Sequence, residues 1–393
     1  LMAGLVIVVF AVIIDRMSGT LAQDNRKRYD ARVAWGILAV GVVASAVTWN
    51  SLPNPSDYSA FDGAVDAVDA GLSAFTTANW QWLAAVKNNV LYFGLLPLRI
   101  GLDQAVLPFT WGFQWTAQWS LGLFAAGAVA GLVLALRGQV TWGIMTLIFV
   151  GMLETGITNL PWPFVLVGVA ALGWVASGRG LAVLSVGLLL TILLSGLWDR
   201  AMLSLYLSGA AVFACAIAGG GIGLLCAVSP MAWRITRPIC DMLQTIPLFV
   251  FLIPVLMVFQ IGEFSAFLAI IAYAIVPMIR YSRHGLTETP DEMIEAAIAS
   301  GATTWQILRD VRAPYAAPTI LLGLNQTILY AFAMLVIAAL IGTTGLGQLI
   351  YLALGQADVG LGISAGAAMA ILALIADRMV QGFAEERRRV LGL

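Results

Sequence analysis

The sequence predicts an all-α polytopic membrane protein, and three observations lead to this fold class. Its 393 residues are 61% hydrophobic and only 10% charged, and their mean hydropathy is +0.93. Apolar runs about as long as a bilayer is thick recur over most of the chain. Lysine and arginine are concentrated in alternate connections between these runs, as in membrane proteins with a fixed orientation. A water-soluble domain of this length would carry far more charge.

The chain opens with an apolar half-span at residues 1–14, which a short basic run follows. Residues 3–26 align without gaps on residues 365–388, and both segments contain Asp-Arg-Met. We therefore expect residues 1–30 to be the last span and the cytoplasmic tail of an upstream unit of the same kind. A chance match between two membrane segments is the alternative.

Residues 50–117, which follow a predicted span at 31–49, differ in composition from the rest of the chain. Their first part is polar and acidic with two prolines, and their second part mixes Trp, Tyr and Phe with scattered charges. No apolar run in this region reaches the ~20 residues that a transmembrane helix needs. Aromatic residues beside charges are typical of helices that lie in the bilayer interface. We expect a periplasmic loop with interfacial helices.

The remaining apolar runs predict nine further spans, in two groups. Additional spans within 118–198 lie at 118–136, 140–156, 160–176 and 180–198. A second group, within 199–380, lies at 201–228, 242–261, 264–280, 318–342 and 361–380, and residues 381–393 form a tail.

The charge distribution supports this map. When the connection at 285–314 is placed in the cytoplasm, all but three of the 20 Lys and Arg residues fall on the cytoplasmic side. The three on the outer side are Lys87, Arg99 and Arg200. Residues 50–117 must then cross the membrane an even number of times, and we predict zero. The resulting prediction is a multi-pass membrane protein with a cytoplasmic C-terminus; the family resemblance given below implies that the membrane is a bacterial inner (plasma) membrane.

Several classes of site are excluded by residue counts. The only lysines, Lys27 and Lys87, do not follow a glycine, so the chain has no Walker A phosphate loop. His284 is the single histidine, which excludes a histidine-rich metal site. The three cysteines lie in or beside apolar runs and are expected to be packing residues. Gly219 and Gly223 have the spacing of close helix packing. A net charge of -1 does not favour nucleic acid as a partner. We expect no enzymatic activity, no metal and no cofactor bound by this chain.

One charged, amphipathic stretch, Asp291–Pro314, separates two predicted spans. Read as a helix, it places Met293, Ile294, Ala297 and Ile298 on one face, with Glu292 and Glu295 beside them. Gly301 interrupts this pattern, and Pro314 is expected to end the second helix. Two short helices bent at a glycine cannot cross a bilayer, so they lie on its surface or dock into another protein.

This stretch resembles the EAA loop of ABC importer permeases, whose spacing is E-A-A-x3-G-x9-I-x-L-P. The residues that carry the resemblance are Glu295, Ala296, Ala297, Gly301, Val311 and Pro314. Val311 is a mild departure, and Ala313, where the family usually has Leu, is a larger one. The resemblance implies a coupling helix that inserts into a groove on a separate ATPase subunit. An interfacial amphipathic helix without a partner is the alternative.

Residues 237–262, 323–350 and 357–378 are similar to the permease of glycine betaine/proline betaine importers. The resemblance implies the ABC importer type I permease fold, with a five-helix core at about 201–380 and extra N-terminal spans. It implies import of a quaternary amine or osmolyte of the glycine betaine, choline or trimethylamine N-oxide class. The implied partners are an ABC ATPase dimer that binds ATP and Mg, a periplasmic substrate-binding protein, membrane lipid and a second permease unit. That unit is either the upstream tandem copy, as in trimethylamine N-oxide transporters, or a second copy of this chain.

A translocation path needs polar and aromatic side chains within the core spans. Proline frees backbone carbonyls to face a cavity, and aromatic faces attract methylated amines. The candidates are Gln244, Thr245, Pro247, Phe249, Met257, Asn325, Gln326, Thr327, Tyr330 and Met334. Hydrogen bonding between helices and plain packing are the alternatives for these residues.

Other functions stay open at this point. An ABC importer permease for another small solute, of the amino-acid class, would share these motifs. An ion-coupled secondary transporter would need ionisable residues at the bilayer midplane, and a membrane enzyme of lipid metabolism would need a metal-binding or nucleophilic set. Glu154 and Glu263 lie at the predicted outer ends of their spans, where we expect solvated carboxylates.

Overall fold

The computed structural model describes residues 31–48 and 62–392, together with Ile13. The predicted half-span at 1–14, most of the repeat that contains it, and the first part of the polar loop, at 50–61, lie outside the described residues. The protein divides into two compact units, which are described separately.

The first unit comprises residues 1–80 with 245–247. Its described helices are α1 (Ala31–Thr48) and α2 (Asp62–Ala78). The apolar side chains of α1 are largely exposed, with Trp35 at 71% and Val47 at 74%. Such a helix is apolar on all sides, which is typical of a segment surrounded by lipid.

The second unit comprises residues 81–244 and 248–393, and it is built from helices alone in the part that the structure describes. Its N-terminal part contains α3 (Trp80–Val90), a π-helical turn (Leu91–Leu95), α4 (Leu96–Ile100), α5 (Leu102–Ala105), α6 (Pro108–Trp111), α7 (Ala117–Leu136), α8 (Val140–Thr155), α9 (Trp162–Ser177) and α10 (Arg179–Leu194). Its C-terminal part contains α11 (Trp198–Val228), α12 (Pro230–Thr245), α13 (Leu248–Phe259), α14 (Glu263–Thr287), α15 (Asp291–Ala299), α16 (Thr304–Gln306), a second π-helical turn (Ile307–Arg312), α17 (Ala313–Ala338), a 3₁₀ turn (Ala339–Ile341), α18 (Leu346–Gln356) and α19 (Val359–Leu391).

Within the described residues, five helices are long and apolar enough to cross a membrane. They are Ala117–Leu136, Trp198–Val228, Glu263–Thr287, Thr304–Ile341 and Val359–Leu391. Each overlaps with a predicted span, but Thr304–Ile341 begins well before the predicted 318–342 and Val359–Leu391 ends well after the predicted 361–380. The helices α8, α9 and α10 are also at predicted positions, but each has 16 residues, just below the ~17 that a span usually requires. No helix of residues 62–111 meets the length and hydropathy of a span.

The core is formed by α11, α14, α17 and α19, with α14 in contact with both α11 and α17. Glycine residues on α11 allow it to approach α14 closely. A Cβ atom on Gly223 of α11 would lie 2.6 Å from the Cβ atom of Ser282 on α14. Gly219 is similarly close to Met278. The predicted small-residue packing of α11 is therefore confirmed.

The N-terminal helices pack on this core as two hairpins. The first pairs α7 with α8, and the second pairs α9 with α10 and contacts α19. A Cβ atom on Gly382 of α19 would lie 2.7 Å from the carbonyl oxygen of Ala176 on α9. The predicted tail at 381–393 therefore begins as a continuation of α19 that is packed against α9.

The predicted span at 242–261 is not one continuous helix. The chain breaks between Thr245 and Leu248, and α12 and α13 meet at an angle of 108°. Pro247 explains the break, because the residue before a proline is disfavoured in helical conformation. The α13 segment keeps only 12 residues.

Candidate functional site

The amphipathic stretch begins as a regular helix on the surface. Pro290 precedes α15, and Asp291 and Glu292 occupy its first turn, where carboxylates interact favourably with the helix dipole. Gly301 follows the helix with a φ of 78°, and the amide of Ala302 donates to the carbonyl of Ala297 at 3.0 Å. The left-handed conformation favours glycine. The predicted bend at Gly301 is confirmed.

The second helix of the stretch starts with a capping box. The Thr303 hydroxyl accepts from the Gln306 amide at 3.4 Å, and the Gln306 side-chain oxygen accepts from the Thr303 amide at 2.8 Å. Reciprocal bonds of this kind satisfy two amides that would otherwise lack partners at a helix start. The capping box therefore defines where the stretch enters the next helix.

The predicted stop at Pro314 is wrong, because the helix runs continuously from Thr304 to Ile341. Pro314 lies in the first turn of α17, which directly follows the π-helical turn. The first turn of a helix tolerates proline, and the wider π-helical turn before it relieves contact with the proline ring. The second half of the stretch is consequently the end of a long core helix and moves with it.

The surface of the stretch is apolar and acidic. Met293, Ile298 and Trp305 are 43%, 59% and 64% exposed. Glu295 is exposed as well, and it has no hydrogen-bond or ion-pair partner among the residues that the structure describes. Exposed apolar side chains around an unpaired carboxylate are typical of a protein-binding surface.

Two contacts hold α12 to the end of α14 that leads into this surface. Arg280 donates to Asp241 at 2.5 Å, and the Arg283 guanidinium lies 4.2 Å from the ring centre of Trp233. Both arginines are on α14, whereas both partners are on α12. The ion pair and the cation–π contact thus hold the amphipathic helix α12 against α14.

At the opposite end of α14, the three predicted outer cations each contact the chain. Lys87 donates to the Phe259 carbonyl at 2.9 Å, and Arg200 donates to the Gln348 side chain at 2.9 Å. Arg99 forms an ion pair with Glu263. The carbonyls at a helix C-terminus carry partial negative charge, so Lys87 also stabilises the end of α13.

The expectation of solvated carboxylates at this end is wrong for Glu154. Its residue is only 4% exposed, and one carboxylate oxygen accepts from the Trp115 indole at 3.2 Å. Burial, with a smaller contribution from the Glu154 charge, raises the pKa of Asp103, while the Gln104 amide opposes the shift. Residues 101–115 cover Glu154 because they fold against α8, a tertiary contact that span composition does not reveal.

The path candidates lie in two different environments. On α12 and α13, Gln244 is exposed, Phe249 is 57% exposed and Met257 is 40% exposed. Thr245 and Pro247 are partly buried. The structure places none of these five in the buried interior.

The candidates on α17 lie alternately on the side of the helix that faces the buried interior of the protein and on its partly exposed side. Thr327 and Met334 are fully buried, and the Thr327 hydroxyl donates to the carbonyl of Gly323 in its own helix at 2.9 Å. Gln326 and Tyr330 are partly exposed, and Tyr330 stacks on Tyr273 with ring centres 4.8 Å apart. The fifth, Asn325, is 3% exposed.

Asp377 is a residue whose role the sequence analysis missed. It accepts from the Asn325 side chain at 2.6 Å and from the Gln381 side chain at 2.7 Å. Asn325 belongs to α17, whereas Asp377 and Gln381 belong to α19. The network therefore connects the long helix that ends in the amphipathic stretch to the last core helix. Asp377 belongs to the Asp-Arg-Met repeat, which was the sequence feature that could have pointed to this residue.

The comparisons with known proteins place these features in context. Residues 219–389 match the family described as "Binding-protein-dependent transport system inner membrane component". The glycine betaine transport system permease protein OpuAB of Bacillus subtilis is 37% identical over 240 residues, which are 61% of this chain and 85% of that protein. The glycine betaine/proline betaine transport system permease protein ProW of Escherichia coli is 37% identical over 232 residues, or 59% of this chain.

This chain spans 66% of the length of ProW. The trimethylamine N-oxide transport system permease protein TmoV of Ruegeria pomeroyi is 37% identical over 225 residues, which are 57% of this chain but 34% of that protein. Among solved structures, one of the MetNI methionine ABC transporter in an inward-facing conformation overlaps with 50% of this chain and 95% of its own at 22% identity, with a TM-score of 0.42. An overlap at this TM-score supports no conclusion about this chain.

Proposed function

We propose, from the premise that this chain belongs to the family of inner membrane components of binding-protein-dependent transport systems, that it is the permease of an ATP-driven importer. The proposed substrate is a quaternary amine or related osmolyte, such as glycine betaine, choline or trimethylamine N-oxide. The printed names of the relatives support this class. The observation that carries the proposal is the exposed, bent stretch Asp291–Pro314, whose second half is one helix with α17.

The proposed role of this stretch is to couple the spans to a separate ATPase. Met293, Ile298 and Trp305 are available for a groove on that subunit, and Glu295 is available for a basic or amide donor in it. The residues that match the spacing of the EAA loop are all within this stretch: Glu295, Ala296, Ala297, Gly301, Val311 and Pro314. The ATP and Mg are proposed to bind to the partner, and the described part of this chain has no group of three metal-ligand side chains.

Movement of the docked stretch has a direct route into the membrane. The helix from Thr304 to Ile341 is continuous, so rotation of its exposed end turns its membrane part. The Asn325–Asp377 bond transmits that rotation to α19. Opening and closing of access on the two sides is then a rigid-body motion of helices, of the kind known for coupled conformational changes.

The proposed translocation path lies between this chain and a second permease unit, either a tandem copy or a second copy of this chain. Exposed side chains are the ones that such a unit can face, which favours Gln244, Phe249 and Met257. The partly exposed Gln326 and Tyr330 are proposed to face it as well. The others, Thr245, Pro247, Asn325, Thr327 and Met334, are proposed to shape the path from behind. Phe249 and Tyr330 offer aromatic faces for a methylated ammonium group.

The chain is an inner-membrane, multi-pass protein, and we propose that its C-terminus and the coupling stretch are cytoplasmic. Residues 50–117 are proposed to stay on the outer side without crossing. A periplasmic binding protein would then deliver substrate at the end of the core where Lys87, Arg99 and Arg200 lie.

Uptake by the reconstituted system tests this function. The complete reading frame is expressed with the ATPase and binding protein of its gene neighbourhood, and uptake of labelled glycine betaine, choline, trimethylamine N-oxide and histidine is measured. We expect uptake of at least one methylated amine that requires ATP and survives an ionophore. Uptake abolished by the ionophore while ATP is present would indicate a secondary transporter. Uptake of histidine alone would indicate the amino-acid class.

A further inference from the structure

A second feature of the molecule is a cavity that the coupling function does not use. It has a volume of about 560 Å³ and lies between α8, α9 and α11, with the π-helical turn Leu91–Leu95 and the start of α4 completing its wall. Every side chain in its lining is apolar except that of Tyr206. Binding pockets for small molecules have similar volumes, but they combine apolar walls with several polar groups. A charged or zwitterionic solute would find no such groups here.

The length of the cavity matches one leaflet of a bilayer. Its lining runs from Met202 to Phe213 along α11, which is about 16 Å at ~1.5 Å per residue. Along α9 it runs from Phe164 to Leu172, which is about 12 Å at the same rise. Half of a typical hydrocarbon core is about 15 Å thick. The cavity therefore has the length of a single extended acyl chain in one leaflet.

Glycines create this space. Side-chain atoms added at Gly94 and Gly209 would meet nothing within 4 Å, although both residues line the cavity. The rim is formed by Phe93, Phe149 and Phe213, which are 45%, 47% and 61% exposed. The cavity thus opens between aromatic side chains onto the outer surface of α8 and α11, the surface that faces lipid when these helices cross a membrane.

Tyr206 has the one polar side chain in this wall. The residue is 2% exposed, and its hydroxyl has no hydrogen-bond partner among the described residues. Trp198, at the start of α11, is the residue type that marks a bilayer interface, and Tyr206 lies about 12 Å further along the helix. Side chains of a helix tilt towards its N-terminus, which brings the hydroxyl closer to that interface. That hydroxyl oxygen has almost no accessible surface, so it lies behind the cavity wall, and Tyr206 contributes its ring to the lining.

We propose that this cavity binds one acyl chain of a membrane phospholipid. The bound chain fills the space between the N-terminal helices α8 and α9 and the core helix α11, and so stabilises their contact. The site needs only the membrane location of these helices and is independent of coupling to an ATPase. With the orientation proposed above, the lipid belongs to the outer leaflet.

Photocrosslinking tests the site in the full-length protein, purified with its partner subunits into nanodiscs. The probe is phosphatidylcholine with a diazirine in one acyl chain, and adducts are located by mass spectrometry after a detergent exchange that removes bulk lipid. We expect retained adducts on the cavity walls of α8, α9 and α11. Exposed residues of α7, such as Leu121 and Leu132, should lose theirs and serve as the reference for bulk lipid.

Two glycine variants on the same helix provide the matched comparison. Gly209→Leu places a side chain in the cavity and should reduce the retained adducts at least fivefold, with Gly209→Ala intermediate. Gly221→Leu also adds atoms to open space but does not line the cavity, and it should leave the adducts unchanged. Monodisperse elution of each variant shows that it is folded.

Three outcomes would overturn the proposal. Cavity adducts that wash out as readily as those on α7 would indicate bulk lipid only. Adducts unaffected by Gly209→Leu would place the lipid elsewhere. Absence of cavity adducts would indicate that a segment of protein fills the space.

Discussion

The two ends of the helix α14 differ in how their polar groups are satisfied. At Glu263, where the helix begins, Arg99 forms an ion pair with that residue, and Lys87 donates to the nearby Phe259 carbonyl. Arg200 bonds to Gln348 at the same end of the core. Each cation there finds its partner within this chain, although the residues involved are far apart in sequence.

The other end of α14 leads into a surface that the chain leaves incomplete. Glu295 is exposed and lacks a partner among the described residues, and Ile298 and Trp305 are 59% and 64% exposed. Exposed apolar side chains that lie close together are a feature of protein-binding surfaces, and a solvated carboxylate among them is available to a donor on a partner. One end, the finished end, is therefore completed by intrachain contacts, whereas the other, the incomplete end, is the surface proposed to dock a partner.

Reversal of the charge at Glu295 should have the largest effect. A charge-assisted hydrogen bond to the ATPase contributes roughly 1.5–3 kcal/mol, so Glu295→Lys should weaken binding about tenfold to a hundredfold. The measurement is the amount of ATPase that co-purifies, together with ATP-dependent uptake. Glu292→Lys is the matched control, because Glu292 is an exposed carboxylate of the same helix. Equal losses in both variants would show that net charge, and not Glu295, determines docking.

A substitution that strains the backbone at Gly301 should have the second-largest effect. The φ of 78° is strained for a β-branched residue, at a cost of about 1–3 kcal/mol, so Gly301→Val should reduce uptake by at least about fivefold. Gly301→Asn should retain most of the uptake, since asparagine adopts the left-handed conformation more readily than other residues. If both variants transport equally well, the bend between α15 and α16 does not matter for coupling.

The bend illustrates what the sequence could predict. The bend at Gly301 follows from a glycine in a motif of defined spacing, and most of the spans follow from apolar runs. Both features depend on the local sequence, so both were predictable. The contacts of Arg99 with Glu263 and of Asn325 with Asp377 join residues 164 and 52 positions apart. Local patterns carry no information about such pairs. The predicted helix end at Pro314 was wrong for the same reason. The π-helical turn that accommodates this proline depends on its helical surroundings.

A smaller effect, on stability alone, is expected at the finished end. Arg99→Ala leaves Glu263, whose side chain is 22% exposed, without its cation. A double-mutant cycle with Glu263→Ala should give a coupling free energy of about 1 kcal/mol, measured by thermal unfolding of the purified protein. Uptake at a permissive temperature should be unchanged.

Arg309→Ala, at the incomplete end, is the control for the Arg99–Glu263 pair. Its ion pair with Asp310 is largely exposed, at 74% and 64%, so its loss should not change the unfolding temperature. If Arg309→Ala destabilised the protein as much as Arg99→Ala, the two ends would not differ in the way the comparison states.

Single cysteine substitutions should show on which side of the membrane each end of α14 lies. Among these variants, they should have the least effect on activity. Asn88 of α3 and Ser300 after α15 are both exposed, whereas the native cysteines are buried and should give little background. With an impermeant thiol reagent, Asn88→Cys should react in intact cells after outer-membrane permeabilisation, and Ser300→Cys only in inverted membrane vesicles. Both variants should transport normally, because neither side chain makes a contact across helices. Asn88→Cys labelled only in inverted vesicles would place the finished end in the cytoplasm. Since α14 joins the two ends by a single 25-residue helix, that result would also exclude a cytoplasmic ATPase as the partner of the incomplete end.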